Sequence, residues 1–257
     1  DISKEVYDEK LLLKAVDNGD VHAVTNIINL NRDTQSCKNI ALHRASCIFS
    51  LDIIKLLIEY GADVNYNHCS ALLMASMGGY MDICVLLIEH GCDIKTCWNS
   101  VLRNVIRTKN IKLIRYILKC VIASNIKQKD IWTRVMFMPN LEVIKLIVEE
   151  FGLDVNCDKG HPLATACSKS DKYIDIVKYL LEKGARFTIN TYRNVMSDTT
   201  KGRAGIREYI INHCTRVELD TMFLINAAES NSIRIVDILV NDGVDIEPIK
   251  DYPIYFE

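Results

Sequence analysis

Residues 51–65 read LDIIKLLIEYGADVN, and residues 81–95 read MDICVLLIEHGCDIK. The apolar positions coincide at a spacing of 30 residues, as do Gly61 with Gly91 and Asp63 with Asp93. A fixed period of this size signals an array of like units. Stepping by 30 from Ala45 in IALHRAS reaches Ala15, Ala75, Val105 and Val135. One inserted residue then gives Ala166, and a last anchor is Ala227. Three positions before each anchor stands a large apolar residue: Leu12, Leu42, Leu72, Leu102, Trp132, Leu163 and Leu224.

The second half of the unit recurs eight times: DVHAVTNIINL, LDIIKLLIEYG, MDICVLLIEHG, NIKLIRYILKC, NLEVIKLIVEEFG, YIDIVKYLLEKG, GIREYIINHC and IRIVDILVNDG. Each unit therefore holds two short helical patterns. The second carries apolar residues at Ile53, Ile54, Leu56, Leu57 and Ile58, a stripe wider than a one-sided surface helix needs. Asp52 and Asp82 fall in its first turn, where the helix dipole favours an anion. Gly61, Gly91, Gly184 and Gly243 stand where a left-handed cap would end it. A helix pair of this length cannot bury both its faces, whereas stacked pairs cover one another around a continuous apolar spine.

These residues resemble the ankyrin repeat. Ile40-Ala41-Leu42-His43-Arg44-Ala45 and His161-Pro162-Leu163-Ala164-Thr165-Ala166 partly match its Thr-Pro-Leu-His-x-Ala start. Residues 51–65 match its hydrophobic helix followed by Gly-Ala-Asp-Val-Asn, and Phe151-Gly152-Leu153-Asp154-Val155-Asn156 matches with an insertion. The resemblance runs from about Asp8 to Ile249. It implies an all-α ankyrin-repeat solenoid of about eight helix–turn–helix units. They form a single domain over 1–257, with units near 8–38, 39–68, 69–98, 99–128, 129–159, 160–190, 191–220 and 221–249 and a tail at 250–257. The seventh unit has a weak first half, TYRNVMSDTTKG. The family unit is 33 residues; the missing ones fall near Tyr66 to Cys69, so short β-turn fingers are expected. The 30-residue period and the Ile, Asn, Lys and Tyr-rich wording resemble the ankyrin arrays of mimivirus-like giant DNA viruses.

Composition excludes several function classes. A net charge of −2 on 31 basic and 33 acidic residues offers no global field for nucleic acid or an anionic membrane. No apolar run approaches the ~20 residues of a membrane span, and DISKEVYDEK lacks the apolar core of a signal peptide. An intracellular, cytoplasmic chain acting as a monomer is expected. Its ten cysteines show no Cys-x-x-Cys pair. They read as free buried thiols, with Cys47, Cys84 and Cys167 in the core; no metal and no cofactor are expected. There is no phosphate loop, dinucleotide fingerprint, His-Glu-x-x-His pair or nucleophile elbow. His43 sits at the family's inner-His position, which implies hydrogen bonds within and between repeats, and His90 precedes a cap glycine. Asp63 and Asp93 read as turn formers rather than a catalytic pair. No enzymatic activity is expected.

The remaining expectation is a partner protein, host or viral, held on the concave face that the family uses. By the family's register the finger-side positions are Lys38, Asn39, His68, Cys69, Trp98, Asn99, Gln128 and Lys129. The first-helix positions are Arg44, Met74, Asn104, Arg134 and Thr165. Trp98 reads as part of a turn, either a binding anchor or packed on its own repeat; Trp132 reads as core. Lys112, Arg115 and Lys119 share one face of a second helix, as a solvated stripe or a small cationic patch. Looser loops are expected at 168–173 and 196–203. The tail could cap the spine or begin another domain. The function so implied is non-enzymatic protein binding, as a viral adaptor or host-protein inhibitor; the alternative is a structural or virion-associated scaffold.

Overall fold

The computed structural model describes residues 2–30, 35–196, 202, 204–213, 216–229, 233–241 and 243–250. The tail from 251, most of 197–203 and Cys214 lie outside them. The chain divides into two compact units, Asp1–Lys127 and Gln128–Glu257. The first contains α1 (Ile2–Asp17), α2 (Val21–Asn29), α3 (Gln35–Cys47), α4 (Leu51–Glu59), α5 (Tyr66–Gly78), α6 (Met81–Glu89), α7 (Ile94–Thr108) and α8 (Ile111–Ala123). The second contains α9 (Gln128–Phe137), α10 (Leu141–Glu149), α11 (Cys157–Cys167), α12 (Ile174–Glu182), α13 (Ile189–Met196), α14 (Ala204–His213), α15 (Arg216–Glu229) and α16 (Ile233–Asn241). No strand occurs among the described residues. The fold is all-α.

The odd-numbered helices carry the Leu-x-x-Ala anchors, and all seven anchor pairs are buried. Alanine at Ala15, Ala45 and Ala75 leaves room for close approach, so α1 packs on α3, α3 on α5 and α5 on α7. The second helices form their own layer, α2 on α4 and α4 on α6. The second unit repeats this, with α9, α11, α13 and α15 in sequence contact and α10, α12 and α14 behind them. The wide stripe of each second helix is thereby covered on two sides: Ile53, Ile54 and Leu57 are fully buried, as are Leu113, Ile114, Ile117 and Leu118. Trp132 is fully buried at the anchor-leucine position, and its Nε1 donates to the Asp154 carbonyl at 2.9 Å.

Left-handed residues stop the helices. After the first helices of the first unit come Gly19, Phe49, Gly79 and Lys109, all with positive φ and all 30 residues apart. Two of the four are not glycine; the Phe49 ring stacks on Tyr80 at 4.0 Å between centroids, which helps hold its backbone there. After the second helices come Gly61 (φ 83°) and Gly91 (φ 91°), followed by a tight turn with no strand pairing. In that turn Asp63 Oδ1 accepts from Asn65 N–H (2.9 Å), Asp93 Oδ1 from Lys95 N–H (3.0 Å) and Asp154 Oδ1 from Asn156 N–H (2.8 Å). The aspartates hold backbone, as a turn former does.

One sequence expectation changes here. Residues 168–173 are not a loose loop. A 3-10 turn at Asp171–Tyr173 sets the Asp171 carboxylate on the N-terminus of α14, accepting from Gly205 N–H (3.0 Å) and Ile206 N–H (2.8 Å). The anion satisfies orphan helix donors there. Of the weak first half of the seventh unit, residues 191–196 lie in α13 (Ile189–Met196), and 197–201 lie outside the described residues.

Leu57→Ala opens a cavity between two layers and is expected to cost about 2–5 kcal/mol in urea denaturation; an unchanged midpoint would remove Leu57 from the core. In the second unit the Lys183 ammonium (3.0 Å) and the Tyr179 hydroxyl (3.1 Å) hold the Glu149 carboxyl below its ordinary 4.5. A depressed carboxyl stabilises above its unfolded pKa and loses that contribution as pH falls through the folded value. Glu149→Gln is therefore expected to flatten the stability profile below about pH 4.5, read by urea midpoints at successive pH values.

Candidate functional site

Side-chain amides tie four of the inter-repeat turns to the preceding repeat. Asn65 Nδ2 donates to the Gly91 carbonyl (3.0 Å) while its Oδ1 accepts from Asp93 N–H (2.7 Å). Asn156 makes the same pair of bonds in the second unit, to the Gly184 carbonyl (3.0 Å) and from Arg186 N–H (2.7 Å). One repeat earlier two amides divide this role. Gln35 Nε2 donates to the Gly61 carbonyl (2.7 Å) and Asn39 Oδ1 accepts from Asp63 N–H (2.8 Å). Gln128 Oε1 accepts from Asp154 N–H at 3.1 Å. These amides do what the resemblance implied for histidine. His43 does not: its Nδ1 is buried without a hydrogen-bond partner, and its Nε2 lies 3.8 Å from Cys47 Sγ. His90 Nδ1 does meet the last turn of its own helix, at the Leu86 carbonyl (2.8 Å).

Behind Asn65 the chain makes a left-handed turn through Asn67, His68 and Cys69, with φ of 49°, 55° and 58°. Asp158, Lys159 and Gly160 make the same turn behind Asn156, with φ of 51°, 57° and 76°. Left-handed geometry costs roughly 1–2 kcal/mol per non-glycine residue, so the clamped asparagine and the closing bond from Cys69 N–H to the Asn65 carbonyl (3.3 Å) must hold it. The turn carries Cys69 inward, to 1% exposure. There its Sγ joins those of Cys92 and Cys97, all three within 4.8 Å of one another. The Asn65 Oδ1 (3.5 Å), the Asp93 carbonyl (3.6 Å) and Thr96 Oγ1 (3.7 Å) surround the Cys69 sulfur. The neighbouring Cys92 and Cys97 S–H groups favour a Cys69 thiolate and hold its pKa below the usual thiol value, while both donors are pushed up by the same contacts. Sequence reasoning missed this cluster because no short Cys spacing announces it. The signal was the repeat: amides here meet the next turn 24 to 28 residues on, and Cys92 and Cys97 follow Cys69 by 23 and 28.

The residues singled out for a partner fall into two ladders in the first unit. Lys38, His68 and Trp98 occupy one register position on α3, α5 and α7; Arg44, Met74 and Asn104 occupy another. Trp98 is in no turn: Asp93 caps α7, whose helix runs through the place of the missing finger and leaves the indole half-buried. His68 is exposed in the left-handed turn and Met74 is half-buried. The others have partners within the chain. Lys38 Nζ donates to the Tyr60 carbonyl (3.2 Å), Arg44 pairs with Asp17, and Asn104 Nδ2 donates to Ser76 Oγ (3.0 Å). In the second unit Gln128 clamps Asp154, Lys129 pairs with Asp158 (2.9 Å), and the Arg134 guanidinium lies 5.6 Å from the Phe137 ring centroid. Asn39 and Cys69, read as finger-side, are buried (8% and 1%). Cys47, read as core, is exposed at a helix end; Cys84 and Cys167 are buried. Lys112, Arg115 and Lys119 are exposed on α8. Among the described residues no helix is long and apolar enough to cross a membrane.

Asn65→Ala removes two hydrogen bonds of about 0.5–1.5 kcal/mol each and frees the left-handed turn. It is expected to destabilise the chain by about 1–3 kcal/mol in urea and to raise alkylation of Cys69; a loss at Asn156→Ala without one at Asn65→Ala would contradict the shared device.

Residues 12–96 match the family model for ankyrin repeats in three copies. A stretch of 114 residues, 42% of the chain, is 30% identical to the ankyrin repeat and KH domain-containing protein mask-1 of Caenorhabditis elegans. The chain spans 4% of that protein's length. Residues 12–96 are thus similar to ankyrin repeats, and the same anchored helix pair, clamped by Asn156 as by Asn65, recurs in the second unit.

Proposed function

We propose that the chain is a non-enzymatic protein-binding module that holds its partner along the first-helix ladders of its ankyrin repeats. The observation that carries this reading is Trp98. Its register position requires no large apolar group, since Lys38 and His68 fill it in the preceding repeats, yet it keeps part of an indole in solvent. Trp is enriched among residues that dominate binding energy. Met74 adds an adaptable apolar surface on the neighbouring helix, and His68 a polar rim. Arg44, Asn104, Lys38, Gln128, Lys129 and Arg134 belong to the same proposal as groups that orient the surface, because each is already held within the chain.

The single-domain reading of 1–257 rests on the period, which runs in register from Val105 to Val135. The finer reading is a viral adaptor or an inhibitor of a host protein, acting as a monomer in the host cytosol without nucleic acid or membrane. It rests on the likeness of period and wording to mimivirus-like arrays and on the near-neutral charge. The test is affinity purification from amoebal lysate with wild type and a Trp98→Ala, Met74→Ala variant, both shown folded by circular dichroism. A partner held by wild type is expected to be weakened at least about 30-fold, the 2 kcal/mol of a hot spot. A partner held equally by both would move the surface elsewhere, and recovery of the chain's own copies or particle proteins alone would favour a scaffold.

A further inference from the structure

We propose that Cys69, Cys92 and Cys97 form a binding site for a soft d10 metal cation, held by three thiolates, with Cu(I) the ion that best fits three donors. Three features of the geometry carry this. The three sulfurs already lie within 4.8 Å of one another. Three sulfurs bonded at about 2.3 Å around one ion in a plane stand about 4 Å apart, so closure requires side-chain movements of less than about 1 Å. Second, the donors are thiols, which select Cu(I) and Zn(II) over hard cations. No fourth His, Cys, Asp or Glu joins the group among the described residues. Structural zinc is almost always four-coordinate, so zinc would need a water in its remaining position, whereas a three-donor set is complete for Cu(I).

The third feature is the support around the sulfurs. Both arms of the Asn65 amide fix the Gly91–Asp93 turn that carries Cys92; its Oδ1 also accepts from the Cys69 S–H at 3.5 Å, a bond given up with that proton when a metal binds. Outer groups that orient ligands in this way raise metal affinity. Exposed Gly91, Asp93, Lys95 and Thr96 alternate with buried Cys92, Ile94 and Cys97, so two of the three thiols sit next to a surface turn. The second unit provides an internal comparison. Its copy of the left-handed turn ends in Gly160, where an added Cβ would meet the Thr188 methyl at 2.9 Å. The backbone device therefore needs no thiol, and its cysteine in the first unit is left for other chemistry.

The test uses the reduced full chain, a chromophoric Cu(I) chelator as competitor, and native mass spectrometry. Wild type is expected to take one Cu(I) per chain from the chelator. Cys69→Ser, Cys92→Ser and Cys97→Ser are each expected to weaken uptake by at least about 100-fold, beyond the effect of changing an outer group. Cys84→Ser, a buried thiol outside the cluster, is expected to leave it unchanged. A readout on wild type alone covers variants that fail to fold. Bound Cu(I) should shield Cys69, Cys92 and Cys97 from iodoacetamide under partly denaturing conditions while Cys47 stays reactive. One equivalent of Zn(II) taken up with the same cysteine dependence, where Cu(I) is not, upholds the site and corrects the ion. No uptake of either ion, uptake that survives Cys69→Ser and Cys97→Ser, or shielding spread over all cysteines overturns it.

Discussion

A helix pair of about 30 residues has two apolar faces and can cover only one of them by itself, and this shortage governs the rest of the molecule. Ile53, Ile54 and Leu57 on α4 are buried because α3 lies on one side and α2 and α6 on others. Ala45 and Ala75 are small because the next first helix comes close. Truncating any one of these large side chains opens a void between neighbours that cannot collapse independently.

Apolar stacking is non-directional, so it cannot by itself set how far one repeat advances on the next. The directional element is the amide clamp. Asn65 and Asn156 each bond two backbone groups two residues apart in the following turn, and that geometry admits one register. The clamp also resolves the shortened repeat. With the projecting finger reduced to a tight turn, the first helix either begins at once, as α7 does behind its Asp93 cap, or passes through a left-handed turn, as α5 and α11 do. The same economy places Trp98 and the cysteine cluster. A helix through the finger position presents Trp98 half to solvent, and a left-handed turn at the finger position of the repeat before it draws Cys69 inward onto Cys92 and Cys97.

Much of this was legible in the amino-acid order. The period of 30, the Leu-x-x-Ala anchors, the paired helices, the glycine stops at Gly61, Gly91, Gly184 and Gly243 and the Asp-x-Asn turns are local or periodic, and local chemistry repeats faithfully in sequence. Burial of Trp132 followed from its register position alone. Where the reading failed, the deciding partner sat a repeat away or a helix end fell one residue differently. Cys47 is exposed because α3 ends there, His43 lost its bridging role to amides, and Asp171 turned a supposed loop into a helix cap through groups 34 and 35 residues on.

The sequence by itself thus determined the repeating unit, its two helices and which face of each is apolar, because side-chain periodicity and turn chemistry act within a few residues. Tertiary structure decided which atoms of successive helix pairs touch: the amide that closes a turn 26 or 28 residues away, and three cysteines gathered from α5, α7 and the turn before α7 into one cluster. Such contacts depend on distances of a few ångströms across an interface, which no period in the amino-acid order can specify.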